Sequence, residues 1–253
     1  MSDYNIRRAT VHDFDGVMDI GDVYMGIDYL RHRFHIFMDD RNIRSYVYII
    51  GKEVGFCSIA LIDDGLTFLI RASRVKNGFR GQGVYGRLLK HIYAEYKDVD
   101  SIKYDAMTTD NYNCEDKKSL ENAYAVMCRK TILSYRFKVE DIDPPLNMTT
   151  FPKEVNSSTM TSLFEDEKTR DTLFPEGKII IDWVPLRLVP SNIKYILAVD
   201  TFALQSMGDN SEVSLLSERL SERPLHLVNV ECVEKISNPA DSFAWIKTAG
   251  LKK

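Results

Sequence analysis

The segment from Arg71 to Tyr96 carries the residue types and spacings that point most clearly to chemistry. A β-type run, residues 66–75, leads into the sequence Arg80-Gly81-Gln82-Gly83-Val84-Tyr85-Gly86, and apolar residues then recur at helical spacing. A strand that turns through glycines into a helix start leaves backbone N–H groups pointing outward, and the helix dipole favours negative charge there. Glycines also let a diphosphate approach without meeting a Cβ atom. The segment therefore predicts a binding site for the pyrophosphate of a nucleotide or coenzyme.

Other phosphate-binding patterns fit this loop less well. No Gly-Lys-Ser/Thr follows the glycines, so the loop is not a Walker A motif. Gly81, Gly83 and Gly86 satisfy the expression Gly-x-Gly-x-x-Gly, but a dinucleotide-binding unit opens with it near the first strand, and several predicted strands precede it here. The structural alternative is a glycine-rich turn that only starts a helix.

The loop resembles the Arg/Gln-x-x-Gly-x-Gly/Ala signature of the GNAT N-acetyltransferases, which bind acetyl-CoA. Arg80 and Gly83 match it, whereas Tyr85 stands where glycine or alanine is usual. The resemblance implies acetyl-CoA as co-substrate and no metal. It also implies that backbone groups of the fourth strand, at Ser73, Arg74 and Val75, pair with the pantetheine amides. The pyrophosphate would then be held by the loop residues Arg80, Gly81, Gln82, Gly83, Val84, Tyr85 and Gly86.

Three further segments narrow the resemblance to the vertebrate histidine N-acetyltransferase family. They are Gly26-Ile27-Asp28-Tyr29-Leu30 with Phe34-His35, Arg74-Val75 ahead of the loop, and Phe174-Pro175-x-Gly177-x-Ile179-Ile180-x-Asp182-Trp183-x-Pro185 with Pro190-Ser191-Asn192. They follow the family's order, and generic GNAT proteins lack the last one. The chain is identified as a divergent, shorter member. This implies direct acetyl transfer to a small amine or free amino acid, L-histidine or a related compound.

Composition excludes several classes of partner. The chain has 253 residues, a formal net charge of −4, and 44% hydrophobic and 28% charged residues, as in an ordinary soluble globular protein. It has no basic stripe for nucleic acid, and no apolar run approaches the ~20 residues of a membrane span. The first residues lack a signal-peptide core, and Cys57, Cys114, Cys128 and Cys232 form no C-x-x-C pair. We therefore expect a cytoplasmic protein with a small-molecule acceptor; the oligomeric state stays open.

The hydrophobic pattern and the resemblance together predict an N-terminal domain of the α/β (α+β) class. Its fold would be the GNAT fold, a mixed central sheet whose fourth and fifth strands splay apart. Thr10 and Asp13 form a capping box ahead of the first helix, and glycine turns separate the strands that follow. The predicted strands are 4–8, 45–50, 54–62, 66–75, 101–109 and 131–139. The predicted helices are 14–23 and 29–38, between the first two strands, 84–96, before the fifth strand, and 117–129, before the sixth.

A stop at Asp143-Pro144-Pro145 divides the chain. We predict an acetyl-CoA-binding domain over 1–143, a linker over 144–160, and a smaller C-terminal α/β region over 161–253 that packs on the first domain. This region is either a reduced second GNAT-like unit or a shortened form. Its predicted elements are a helix at 159–169, strands at 178–182 and 195–200, a helix at 212–219 and a strand at 225–233.

Three residues are candidates for catalysis: Asp28, Tyr29 and Arg71. The resemblance implies that the connection around Asp28 and Tyr29 covers the acceptor, where Asp28 would hold an ammonium or imidazole and Tyr29 would hydrogen-bond or stack. The alternative is that Asp28 caps the second helix and Tyr29 packs on it. His32 and His35 lie three residues apart without further metal ligands nearby in the sequence, which favours a surface role.

Arg71 lies where the resemblance places a glutamate. A glutamate accepts a proton, but an arginine does not at working pH. Either the base comes from elsewhere, or the acceptor is anionic, or activity is lost; a structural alternative is that Arg71 points at solvent. The GNAT general-acid tyrosine is also absent, because Ile132 occupies its position when Phe137 is aligned with the motif's phenylalanine. These departures favour an alternative function, a non-catalytic protein that binds or senses acyl-CoA.

Overall fold

The computed structural model describes residues 3–21, 28–109, 132–138, 153–174, 177–181, 183–197, 201–205, 213–218 and 225–232. The chain divides into two compact units, Met1–Thr108 and Thr109–Lys253. Among the described residues, none of the helices combines the length and the apolar composition that a membrane span requires.

A mixed sheet forms the centre of the first unit. Within its described residues, five strands lie in the spatial order of the sequence, with β4 and β5 parallel and every other neighbouring pair antiparallel. They are β1 (Asn5–Arg8), β2 (Ile43–Ile50), β3 (Lys52–Ile62), β4 (Thr67–Val75) and β5 (Tyr104–Met107). The α-helices described here are α1 (Phe14–Asp19), α2 (Leu30–Asp39) and α3 (Val84–Tyr96). The predicted order of elements is confirmed as far as β5.

Different helices cover the two faces of this sheet. Helix α3 buries Val84, Leu88 and Ile92 against one face, at the i, i+4 spacing of an amphipathic helix. On the other face α2 packs Phe34 against Phe56 of β3, with ring centroids 6.0 Å apart. Phe14 at the start of α1 meets Phe34 edge to face at 5.5 Å, so α1 and α2 share this second face.

A buried carboxylate fixes the start of the first helical segment. Asp13 accepts hydrogen bonds from the backbone N–H of Thr10 at 2.7 Å and from its hydroxyl at 3.0 Å, which confirms the predicted capping box. Arg7 of β1 donates to both carboxylate oxygens, at 2.6 and 2.9 Å. These hydrogen bonds from Arg7 lower the pKa of Asp13 to about 2, against the opposing effect of its burial.

Asp13→Asn is expected to destabilise the first unit at neutral pH. A carboxyl group whose pKa falls from 3.8 to about 2 on folding contributes about 2 kcal/mol to the free energy of unfolding. The contribution is complete above about pH 4 and is lost as the pH falls through about 2. Urea unfolding followed by far-UV circular dichroism should therefore show that the difference in free energy of unfolding between wild type and variant becomes smaller as the pH falls from about 4 to about 2. A difference independent of pH would contradict the assignment.

The second unit contains an antiparallel sheet. Its described strands run in the spatial order β6-β12-β11-β10-β7, and a separate hairpin pairs β8 with β9. The strands are β6 (Ile132–Lys138), β7 (Lys153–Glu154), β8 (Lys178–Ile181), β9 (Val184–Arg187), β10 (Thr201–Gln205), β11 (Val213–Glu218) and β12 (Leu225–Cys232). The described α-helices are α4 (Ser157–Glu165), α5 (Glu167–Leu173) and α6 (Ile193–Ile196).

Two sequence predictions for the second unit are wrong. The predicted strand at 195–200 begins inside a helix, because a helical turn at Pro190–Asn192 leads directly into α6, which ends at Ile196; residues 198–200 lie outside the described residues. The predicted helix at 212–219 is strand β11, which pairs with β10 on one side and β12 on the other. Over so short a run, apolar spacing fits a helix and a strand equally, and the two neighbouring strands decide between them. The predicted strand at 225–233 is confirmed as β12.

The division between the units differs from the predicted boundary at residue 143. Strand β6 pairs along its whole length with β12, so its hydrogen bonds tie it to the second sheet and not to the first. The predicted linker over 144–160 contains β7 and the start of α4. The predicted helix at 117–129 lies outside the described residues.

Candidate functional site

Strand β5 ends before β4 does. Their register runs from Thr67 opposite Tyr104 to Ile70 opposite Met107 and stops there, although β4 continues to Val75. Within the described residues, β5 ends at this point and does not extend beside residues 71–75 of β4, the stretch called the open end of β4 below. The splaying of the two strands itself stays a prediction. A strand edge of this kind offers its backbone groups to an extended ligand, which then pairs with the sheet as a further strand does.

A β-bulge lies in β4 just beyond its last residue paired with β5. After Arg71 the register with β3 shifts, because one residue of β3, Cys57, lies opposite two residues of β4, Ala72 and Ser73. Ala72 has φ of +54°, a left-handed conformation that is unusual for a residue with a side chain. The extra residue reverses the alternation of side chains beyond it. Arg71 and Arg74, three residues apart, therefore lie on the same face of the sheet.

The loop after β4 enters α3 through two glycines in the left-handed conformation. Gly81 and Gly83 both have φ of +75°. A Cβ atom added at Gly81 would have nothing within 4 Å, so the surface is open there. Gly83 occupies the N-cap position of α3, and no side chain among the described residues caps the helix. An uncapped helix start beside an open glycine loop is suited to an anion.

Two arginines hold this loop in place. Arg80 donates from Nε to the carbonyl oxygen of Val75 at 3.0 Å, which ties the loop to the end of β4. Arg87, in the first turn of α3, donates from Nη2 to the carbonyl oxygen of Gln82 and from Nε to the hydroxyl of Tyr48, both at 2.8 Å. Because arginine stays protonated in proteins, these contacts also put two positive charges at the loop.

A buried ion pair joins β4 to the start of α2. Arg74 donates to both carboxylate oxygens of Asp28, at 2.5 and 3.1 Å. The two side chains are 1% and 12% exposed. Asp28 also accepts the backbone N–H of Leu30, the first residue of α2, at 2.9 Å, although Tyr29 and not Asp28 occupies the N-cap position of the helix. The carboxylate thus holds the start of α2 against β4.

Arg71 packs against aromatic rings on the same face. Its guanidinium carbon lies 4.5 Å from the ring centroid of Phe37 in α2 and 5.4 Å from that of Tyr29. Tyr29 is only 7% exposed, and its ring also contacts Phe37 with the centroids 6.2 Å apart. Arg71 is half-buried. The three predicted catalytic candidates therefore meet on the face that carries α1 and α2, beside the open end of β4.

The chain matches known proteins over most of its length. Residues 149–229 match the family model described as histidine N-acetyltransferase, C-terminal. The histidine N-acetyltransferase of Oreochromis niloticus is 30% identical over 209 residues, covering 75% of this chain and 61% of that protein. The enzyme of the same name from Scomber australasicus is 29% identical over 212 residues, covering 76% of this chain and 62% of that protein. The chain is a divergent histidine N-acetyltransferase-like protein.

The fold is supported by a solved structure as well. A fungal multi-domain β-N-acetylglucosaminidase whose structure is described as containing a GCN5-related glucosamine N-acetyltransferase region superposes with a TM-score of 0.51 at 13% identity, covering 88% of this chain and 29% of that one. At that identity the likeness shows the GNAT fold alone. The chain spans less than two thirds of the length of the two histidine N-acetyltransferases it matches.

The predicted cofactor residues fall together in this histidine N-acetyltransferase-like chain. Those from Ser73 to Gly86 run from the open end of β4 through the glycine loop into the first turn of α3. The side chain of Arg74 is bound to Asp28, so only its backbone is left for a ligand. The hydroxyl of Ser73 donates to the sulfur of Cys57 at 3.2 Å, on the face that carries α3.

The structure also shows the surroundings of other residues that the sequence analysis considered. His35 stacks on Phe14 with ring centroids 5.4 Å apart, and Tyr104 is 46% exposed on β5. Trp183 lies in the turn between β8 and β9 with φ of +64°, and Asn192 is buried with its amide donating to a backbone oxygen at 2.8 Å. Among the described residues, no group of three or more His, Cys, Asp or Glu side chains is placed to hold a metal ion.

Arg87 is the site residue that the sequence pattern does not single out. Its position four residues after Gly83 places it one helical turn along α3, directly beneath the loop. A Cβ atom added at Gly83 would lie 3.0 Å from Nη1 of Arg87. The spacing from the glycine to the arginine was the available signal, but the partner that fixes the side chain, Tyr48, lies on a distant strand.

Cys57→Ala is expected to leave the acetyl transfer proposed below unchanged. Burial raises the pKa of the Cys57 thiol to about 12, so it is not a nucleophile at neutral pH. Direct transfer from a thioester to an amine also needs no enzyme thiol. Turnover measured by thiol release should stay within about twofold of wild type. A large loss of turnover in a variant that keeps its circular dichroism spectrum and its acetyl-CoA binding would indicate a covalent role for this cysteine.

Proposed function

We propose that this chain is an acetyl-CoA-dependent N-acetyltransferase that acts by direct transfer on a small amine or free amino acid, L-histidine or a related compound. The observation that carries the proposal is the open end of β4, which leads through the bulge at Ala72 and the glycine loop into an uncapped helix. The similarity to histidine N-acetyltransferases over 75% of the chain supports the reaction and the acceptor class.

The residues present fit an acyl-CoA. The edge of β4 at Ser73, Arg74 and Val75 would pair with the pantetheine amides, and the backbone N–H groups from Gly81 into α3 would hold the pyrophosphate. The positive charges of two arginines at the loop favour the same group. When bound, acetyl-CoA supplies an activated thioester whose acetyl group an amine can accept.

The chain's own task is to position the acceptor amine and to let its proton leave. Proximity supplies most of the rate in a direct transfer of this kind. A guanidinium does not act as a base in proteins, so the base is not Arg71. Asp28 accepts hydrogen bonds from Arg74 and Leu30, which keeps its oxygens engaged. We therefore assign Asp28 and Arg71 positioning roles, with Tyr29 as the wall of the acceptor pocket.

A non-catalytic protein that binds or senses acyl-CoA is the second candidate. It is favoured by one specific observation: at Arg71, beside the open end of β4, a half-buried arginine stands on the acceptor side. Such a residue cannot take up the proton that the amine must lose. Both candidates bind acetyl-CoA, and they differ in turnover.

A thiol-release assay separates the two candidates. Acetyl-CoA is incubated with the full chain and a panel of free amino acids and simple amines, and released CoA is measured. Release that depends on an acceptor, and that is lost in Gly81→Trp, supports the transferase. Binding of acetyl-CoA without release for any acceptor supports the sensing protein. Absence of both binding and release contradicts both candidates.

A further inference from the structure

We propose that Tyr4 stacks on the adenine base of the acyl donor, so that the chain takes an acyl-CoA in preference to a donor without a nucleotide. The inference deepens the proposed function and rests on it, because it extends the acyl-CoA site beyond the glycine loop. Three observations carry it: a half-exposed ring at the start of β1, the guanidinium that joins this ring to the loop, and the open surface of the ring.

Strand pairing brings Tyr4 to the face of the first sheet that carries α3. Ile6 of β1 lies opposite Tyr48 of β2, and Tyr4 is two residues before Ile6, on the same side of the extended chain. The rings of Tyr4 and Tyr48 stack, with their centroids 4.9 Å apart and their planes inclined by 11°. Because Tyr48 is only 1% exposed, it supports the ring of Tyr4 from the interior.

Arg87 joins this pair of rings to the glycine loop. Its guanidinium carbon lies 5.5 Å from each of the two ring centroids, within cation–π distance. The same guanidinium donates to the hydroxyl of Tyr48 and to the carbonyl oxygen of Gln82 in the loop. Tyr4 is therefore separated from the loop by a single arginine side chain. In an acyl-CoA, a single ribose separates the pyrophosphate from the base.

The outer surface of Tyr4 is open. Tyr4 is 51% exposed although Tyr48 covers one face of its ring. The guanidinium of Arg87 is equally far from both ring centroids, so it lies beside the pair of rings and not on the face of Tyr4 that is turned away from Tyr48. An open aromatic face next to a diphosphate site suits a nucleotide, because every base has a π-face that can stack.

Two ligands that differ only in the base test the proposal. Isothermal titration compares ADP with ribose 5-diphosphate, which has the same sugar and diphosphate but carries no adenine. Wild type is expected to bind ADP about 5–10-fold more tightly, at the lower end of the usual effect of one base–aromatic stack. Tyr4→Ala should remove this preference by weakening the binding of ADP alone. Tyr4→Phe keeps the ring and should retain the preference.

Acetyl-CoA tests the same contact in the complete donor. Its affinity should fall by about 5–10-fold in Tyr4→Ala, whereas the affinity for acetyl-4′-phosphopantetheine, which has no base, should not change. In turnover the loss should appear in the KM for acetyl-CoA and not in kcat, because the base is remote from the thioester and contributes equally before and during transfer.

Tyr104→Ala is the matched control. Tyr104 is 46% exposed and lies on β5 opposite Thr67, at the other end of β4 from the loop, so this variant should bind both donors as wild type does. Equal affinity of wild type and Tyr4→Ala for acetyl-CoA, or equal binding of ADP and ribose 5-diphosphate by wild type, would overturn the proposal while leaving acetyl transfer intact. A loss of the same size in Tyr4→Phe would also overturn it, because the ring would then not be the contact. Absence of acetyl-CoA binding by wild type would instead contradict the proposed function, and this inference with it.

Discussion

Arg74→Met is expected to lower the free energy of unfolding of the first unit by about 3–5 kcal/mol, the usual effect of removing one partner of a buried ion pair. Arg74 is 1% exposed and Asp28 is 12% exposed, so the variant leaves a carboxylate out of water without its cation. Hydrogen exchange of the amides of β3 and β4, which lie in the first unit, measures the loss of stability directly.

An exposed ion pair at the same end of β4 provides the control. Lys76 lies 2.5 Å from Asp19, whose side chain is 56% exposed. Lys76→Met should change the stability far less, because water and salt screen exposed pairs. Adding Asp28→Leu to Arg74→Met should recover part of the loss, since the orphaned carboxylate is then gone. A loss in Arg74→Met no greater than in Lys76→Met would show that the pair does not hold α2 to β4.

Gly81→Trp is expected to weaken acetyl-CoA binding by about 100-fold or more, since several charge-assisted hydrogen bonds to the pyrophosphate are lost together. The indole would fill the open surface above the loop, because a Cβ atom added at Gly81 has no other atom within 4 Å. Acetyl-CoA raises the melting temperature of wild type by binding the native state, and this rise should be lost in the variant together with the binding. Isothermal titration and thermal unfolding with and without acetyl-CoA measure both effects.

Gly65→Trp is the matched control for this variant. Gly65 has φ of +82°, close to the +75° of Gly81, and an added Cβ atom there also meets nothing within 4 Å. It lies in the turn between β3 and β4, at the opposite end of β4 from the loop. Gly81 is preferred to Gly83 as the test position, because a Cβ at Gly83 would also disturb Arg87. If Gly81→Trp and Gly65→Trp weakened acetyl-CoA binding equally, the pyrophosphate site would not lie at the glycine loop.

The described order of elements in the first unit could be predicted because each signal is local. The glycine turn at Gly51 and the turn at Asp63-Asp64-Gly65 separate the strands, and the helical stripe from Val84 to Ile92 marks α3. The glycine loop could be recognised for the same reason, since it is a continuous segment whose residues act together. By contrast, β11 was predicted as a helix because a short apolar run fits a helix and a strand equally, and only its pairing with β10 and β12 decides between them.

The candidate acceptor site depends on features that have no local signal. The residue type of Ala72 does not predict its φ of +54°. The bulge at this position nevertheless places Arg71 and Arg74 on the same face of the sheet. In a regular strand, residues three apart face opposite sides. Asp28 was identified from a resemblance, but its partner Arg74 lies 46 residues away and only the fold brings the two together. The physical role of Asp28 could therefore not be assigned from sequence alone.

Isothermal titration of the full chain with acetyl-CoA tests the central claim most directly. The account predicts saturable binding at one site per chain, and binding that is lost in Gly81→Trp and retained in Gly65→Trp. It also predicts that free CoA competes for the same site, because the pantetheine and pyrophosphate contacts on β4 and the glycine loop do not involve the acetyl group. Absence of acetyl-CoA binding at high micromolar concentration, by a chain with a native circular dichroism spectrum, would contradict it.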